Sequence, residues 1–360
     1  MSAKTAAALM LAALLTACAQ APVRPPAGII ADDAPEIGAR PAPYDLSDVS
    51  GPDAPGMPSM WVMEKSGRTL AVFGTMHAVP RGFRWLRPDV KRALAQADLV
   101  MTEVGTTDAA QYNPRLGELD DLAGLLSRDD GVNTLDLIAA PGTPERVELE
   151  AAIDMAGVRA ASVTTLQAWA LCLDLQRSET PDALKRMTPE ARALRTEATK
   201  TLGPLESGPD GPDARIERFR LSQNLPFKQL ETFATRARVY ATMPEADAIA
   251  CIRHRAHAIV AGTDWTSFPQ RFRAALDFWT RGDLDGGRRS AMAETAGISP
   301  ALAERLYQGR EAQWMALIAR HCEATKLNCA LAVGFAHLGG PDGLLKRLEQ
   351  AGYRLKPGTS

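Results

Sequence analysis

Apolar and polar positions change period twice along this chain of 360 residues. Near the start they form short apolar runs of strand length. Residues 59–65 and 68–76 flank Ser66-Gly67, the spacing of two strands joined by a tight hairpin. Arg87-Pro88 then opens a helix, since proline suits the first helical position, with Ala93, Leu94 and Ala97 facing inward. Residues 97–104 follow as a strand with the buried run Leu99, Val100 and Met101. The period then becomes helical: 147–156, 164–176, 189–202, 234–259, 268–279 and 300–320 all carry helical apolar spacing. Between them, 203–212 reads as a loop by its Gly-Pro pairs and 226–231 as a strand. Strand character returns at 330–333. Gly340-Pro341 starts a helix with Leu344, Leu345 and Leu348 on one face, Gly352 stops it, and 353–355 closes the chain as a strand. Strands with helical crossovers at both ends and a large helical insert between them predict an α/β fold, or α+β if the sheet is mixed. The sheet core is expected from the N- and C-terminal segments.

The first residues stand outside this pattern. Lys4 precedes an apolar stretch that ends in Leu15-Thr16-Ala17-Cys18, the form of a secretory signal closing on a bacterial lipobox. The expectation is a signal peptide over 1–17 and lipidation of Cys18. No Asp follows the cysteine, which favours the outer membrane, facing the periplasm. Residues 19–58 hold nine prolines and no apolar periodicity. Such a composition buries too little surface to offset the entropy of ordering, so 18–58 reads as an extended tether and 59–357 as the folded domain.

Composition narrows the chemistry. Hydrophobic residues make up 46% of the chain, enough for a substantial core, and a formal net charge of −2 argues against nucleic-acid binding. With five histidines and five cysteines, few residues are available for a metal or nucleophile site. Four polar residues share one context: His77, Glu103, Glu231 and His337 each sit at or just past the end of a predicted strand. Ligands of open α/β sheets bind in the crevice at that edge. Two of the four close the same pattern, Gly74-Thr75-Met76-His77 and Gly334-Phe335-Ala336-His337, in which glycine lets the chain turn sharply off the sheet.

The segments WVMEKSGRTLAVFGTMHAVP, ADLVMTEVG, LPFKQLETF, RGDL and LAVGFAHLGGPDGLLKRLEQAGYRLKPG occur in the order seen in the TraB/GumN family. This resemblance covers roughly 59–357. That family is related to the Tiki metalloproteases and, more distantly, to the erythromycin esterase-like and ChaN-like fold. The resemblance implies a metal-dependent hydrolase of peptides or small molecules, held to the membrane by its lipid anchor. His77, His337 and Glu103 would ligate a divalent cation, Mn²⁺ or Co²⁺ by resemblance, with Zn²⁺ compatible with the ligand types. Glu103 or Glu231 would accept the proton of bound water, and Arg310 would hold a substrate carboxylate or an oxyanion. A general-base histidine acting without metal is a variant of the same reading. The competing reading is an envelope lipoprotein that captures peptide, haem or iron without turnover. The family's Arg-Asn before a late Trp is here Arg310-Glu311 before Trp314, a departure that leaves the role of position 311 open.

Other residues carry blander expectations. His254 and His257 share one helical face with Arg253 and Arg255 beside them, a solvated basic surface. His321 ends a helix, where positive charge suits the dipole. Trp169, Trp265, Trp279 and Trp314 read as packing residues, whereas Phe83 and Trp85 are candidates for a pocket rim. Gly339-Gly340 suits either an anion site or a tight turn. Beyond Cys18, four cysteines allow three pairings; Cys322 with Cys329 and Cys172 with Cys251 is one, and buried free thiols are the alternative.

Overall fold

The computed structural model describes residues 60–83, 85–103, 123–158, 163–176, 187–207 and 211–356, without the side chains of Phe233, Asp264 and Trp265. The signal segment, Cys18 and the tether lie outside the described residues.

The strands are β1 (Met60–Lys65), β2 (Arg68–Thr75), β3 (Ala78–Pro80), β4 (Leu99–Thr102), β5 (Leu205–Ser207), β6 (Phe227–Gln229), β7 (Cys329–Gly334) and β8 (Arg354–Leu355). Six of them form one sheet in the order β6-β4-β7-β2-β1-β8. Neighbours from β6 to β2 pair in parallel, while β1 runs antiparallel to both β2 and β8. The sheet is therefore mixed, and the N- and C-terminal segments meet at its centre, where β2 lies beside β7. The β1–β2 hairpin closes through Ser66 (φ 52°) and Gly67 (φ 73°), both left-handed, as a two-residue turn matching strand twist requires.

Alternation along the strands divides the core into two faces. Leu331 and Val333 point one way and join Leu70, Val72 and Met101 against Trp314, Ile318, Leu344 and Leu348. Ala330 and Ala332 point the other way, with Phe73 and Val100, against Val90, Leu94, Ile216 and Trp279. The helices Arg310–Ile318 and Leu344–Gln350 thus cover one face; Pro88–Gln96, Pro212–Ser222 and Thr263–Arg281 cover the other. A separate core joins the helices Pro144–Met155, Ala168–Gln176 and Glu245–Val260, which make the insert.

Several elements differ from the pattern-based reading. The stretch 234–259 is two helices, Phe233–Tyr240 and Glu245–Val260, because Pro244 biases the residue before it away from helical geometry. Within 203–212, β5 pairs with β3 as a second, two-stranded sheet; three residues are too few to leave a period. Leu284–Ala296 is a helix despite Gly286-Gly287. Its glycines serve packing, since a Cβ on Gly287 would lie 2.3 Å from the Phe335 ring. The last helix begins at Leu344, not at Gly340-Pro341. Trp85 is no pocket rim: it is fully buried and stacks on Phe73 at 5.8 Å, because its ring fills the space between the sheet and Trp279. Two disulfides are formed, Cys172–Cys251 and Cys322–Cys329, with Cα separations of 5.9 and 6.1 Å, within the normal span.

Candidate functional site

Parallel pairing brings the expected residues to one sheet edge. Gly74 is opposite Val333 and Thr75 opposite Gly334, so the two Gly-x-x-His motifs leave the sheet side by side. Glu103 directly follows β4, and its N–H donates to the Ala332 carbonyl at 3.2 Å. The Glu231 N–H donates to the Glu103 carbonyl at 3.1 Å, which sets the two glutamates at one level. The Gly334 N–H donates to Glu103 Oε2 at 3.0 Å, and a Cβ there would stand 3.1 Å from that oxygen, so a larger residue would push the carboxylate aside by a few tenths of an ångström.

Arg310 is the hub. It opens the helix Arg310–Ile318 after the wide π-turn Arg305–Gly309, a local irregularity often found at functional sites. Its side chain is 3% exposed. Nε donates to Glu231 Oε2 at 2.8 Å, and Nη2 donates to both Glu231 Oε1 and Glu103 Oε1. Nη1 donates to His337 Nε2 at 3.2 Å and to the Leu306 carbonyl at 3.4 Å, and the guanidinium lies over the Trp314 ring. A guanidinium can only donate, so His337 Nε2 accepts and the ring proton sits on Nδ1. That Nδ1–H donates to Glu311 Oε1 at 3.0 Å. Glu311, fully buried, is held in turn by Arg288, which also reaches Asp342 and the Ala336 carbonyl.

Electrostatics follow from this geometry. Burial alone would raise the Glu103 carboxyl, but Arg310, with Arg236 and His77, holds it well below the usual carboxylate range. An acid that weakly basic is a poor proton acceptor. Glu231 has both oxygens committed to Arg310. Neither glutamate is placed as the expected general base, and Arg310 has no donor left for a substrate carboxylate.

His77 stands apart from this network. Its side chain is 74% exposed, and Nδ1 pairs at 2.9 Å with Oδ2 of Asp213, in the first turn of Pro212–Ser222. The hydrogen bond and charge of Asp213, helped by Glu103, raise the imidazole pKa over the opposing charge of Arg236. Asp213 and Arg236 escaped the sequence reading. Asp213 lies in a Gly-Pro-Asp turn and Arg236 in an ordinary helical run, and neither leaves a signal without the fold.

The expected metal set of His77, His337 and Glu103 does not fit this arrangement. His337 has one ring nitrogen on Arg310 and the other on Glu311, and both Glu103 oxygens are engaged. Among the described residues no group of three or more His, Cys, Asp or Glu side chains is arranged to hold an ion. The guanidinium supplies the positive charge around which these ligand types gather.

The profile of the TraB/PrgY/gumN family matches residues 59–357. The chain belongs to the TraB/PrgY/gumN family. No curated protein and no solved structure matches it. In this TraB/PrgY/gumN member the departure at 311 gains a physical account. A glutamate there accepts from His337, and its charge is balanced by Arg288, itself 3% exposed, so the two residues act as a matched pair.

Proposed function

We propose that this protein is a hydrolase of the bacterial envelope, acting on peptide or peptide-like substrates by general acid–base catalysis from His77. The observation that carries the reading is the His77–Asp213 dyad, open to solvent at the sheet edge and within the field of the ionised Glu103. With Nδ1 held by Asp213, Nε2 is left to accept a proton from water as the water oxygen bonds to the substrate carbonyl carbon. Asp213 and Glu103 stabilise the imidazolium that forms. The same nitrogen then returns the proton to the leaving nitrogen as the carbon–nitrogen bond breaks. Arg310 has a positioning role, locking Glu103, Glu231 and His337 in one arrangement. Lipidation at Cys18 and the tether 18–58 would hold the domain to the membrane, and two disulfides suit an oxidising compartment.

The test uses the purified mature protein with fluorogenic peptides and p-nitrophenyl esters. Turnover is expected to survive EDTA and 1,10-phenanthroline and to fall about 10²–10⁴-fold in His77→Gln, the usual contribution of a general base. Loss with chelator and recovery with Mn²⁺ or Co²⁺ would restore the metal reading. Stoichiometric peptide or haem binding without product would replace hydrolysis by capture.

A further inference from the structure

We propose that Arg236 receives a carboxylate of the substrate, so that this crevice takes monoanionic molecules such as peptides with a free C-terminus. The inference rests on the crevice being the substrate site, not on the chemistry performed there. Three buried or half-buried guanidinium groups surround Glu103 and His337, and two are saturated. Arg310 spends its donors on Glu231, Glu103, His337 and the Leu306 carbonyl. Arg288 spends its own on Glu311, Asp342 and the Ala336 carbonyl.

Arg236 differs. Among the described residues its ion-pair partner is Glu103, with Nη1 3.9 Å from Oε1, beyond hydrogen-bond reach. Glu103 cannot turn to meet it, because Oε1 is held by Arg310 and Oε2 by the Gly334 N–H. The Nε–H of Arg236 is buried and has no acceptor among the described residues. Buried donors are nearly always satisfied, so an orphan at a crevice calls for a missing partner. The side chain is 27% exposed, so a solute can reach its head. Burial works against its charge, yet the carboxylates of Glu103 and Glu231 favour the protonated guanidinium.

The chemistry selects the partner. A planar fork of N–H donors matches the two oxygens of a carboxylate. Glu103 and Glu231 stand close by, so a dianion such as a phosphate ester meets more repulsion than a single carboxylate does. The role expected of Arg310 therefore passes to Arg236, five residues after Glu231 on the helix Phe233–Tyr240.

The test measures binding by the full mature protein, followed by calorimetry and by the Arg236 Nε–H resonance in ¹⁵N spectra. The probes are N-acetyl-alanyl-alanine, its C-terminal amide, and inorganic phosphate. The acid is expected to bind at least about tenfold more tightly than the amide, as a charge-assisted hydrogen bond implies, and to shift the Arg236 resonance. Arg236→Met should bring the two to parity, and Arg236→Lys should keep part of the preference, with thermal melting used to check the fold of both. Equal binding of acid and amide, binding of neither, or a preference surviving in Arg236→Met would overturn the proposal. Phosphate binding more tightly than the acid would overturn it too, in favour of a phosphate site. His77→Gln separates the two claims. Unchanged turnover in that variant defeats hydrolysis by His77 and leaves the carboxylate preference standing.

Discussion

Replacing Arg310 with methionine keeps most of the buried volume but removes the cation between Glu103 and Glu231. Three carboxylate oxygens and His337 Nε2 lose their donor. Removing one partner of a buried ion pair costs about 3–5 kcal/mol. A second route gives a similar figure. The variant can relieve itself by protonating one glutamate, which then donates to the other. For a glutamate of ordinary pKa, about 4.3, this costs about 3.7 kcal/mol at pH 7, at 1.36 kcal/mol per unit, and about 1 kcal/mol at pH 5. The sign agrees with linkage. The depressed pKa of Glu103 in the native protein gives stability that is present above the unfolded value and lost as pH falls through the folded one. The gap between wild type and Arg310→Met should therefore be about 4 kcal/mol at pH 7 and shrink towards 1–2 kcal/mol at pH 5. Urea denaturation at the two pH values measures it. In Arg310→Met/Glu231→Gln the introduced amide can donate to Glu103 without taking up a proton, so stability should partly return and the pH dependence flatten. A penalty below about 1 kcal/mol at pH 7, or one that does not shrink at pH 5, would refute the buried-network account. So would a double variant no better than the single one.

Other outcomes follow from the same geometry. The pH–rate profile should rise through a pKa above the usual histidine value, because the base must be unprotonated and Asp213 raises its pKa; in Asp213→Asn the inflection should move down and kcat should fall. Gly334→Ala should lower kcat by more than about tenfold while melting stays near wild type, since its methyl group displaces Glu103 Oε2 from 3.1 Å. A lowered melting temperature with kcat unchanged would instead mean that the glycine serves only the turn. Opening Cys172–Cys251, which spans 79 residues, should cost about 4–5 kcal/mol against about 2 kcal/mol for the 7-residue Cys322–Cys329 loop on chain-entropy grounds, read by thermal melting of the two Cys→Ser pairs. Metabolic labelling with palmitate should mark wild type and not Cys18→Ser.

Local order was legible wherever a single element carries its own periodicity or turn chemistry. The hairpin at Ser66-Gly67, the helix after Arg87-Pro88, the strand at 330–333 and the α/β class all follow from residue spacing within one segment. Short or compensated elements were not legible. Three-residue β5 leaves no period, and the glycines of Leu284–Ala296 make sense only beside Phe335. Strand-end placement and the repeated Gly-x-x-His were enough to nominate His77, Glu103, Glu231 and His337, and all four do reach one sheet edge.

What each of these residues faces was decided by contacts across the fold. His337 turns inward because Glu311 and Arg310 meet both of its nitrogens, whereas His77 turns outward to Asp213, 136 positions away. Arg310 lies 79 residues from Glu231 and 207 from Glu103, and only tertiary packing places its charge between them. Asp213 and Arg236 entered the site by the same route. A linear sequence records which groups are present, but a proton's position or a guanidinium's free donors depend on neighbours supplied by distant segments. Residue types and turn geometry are local properties; partnership in a buried charge network belongs to the folded chain.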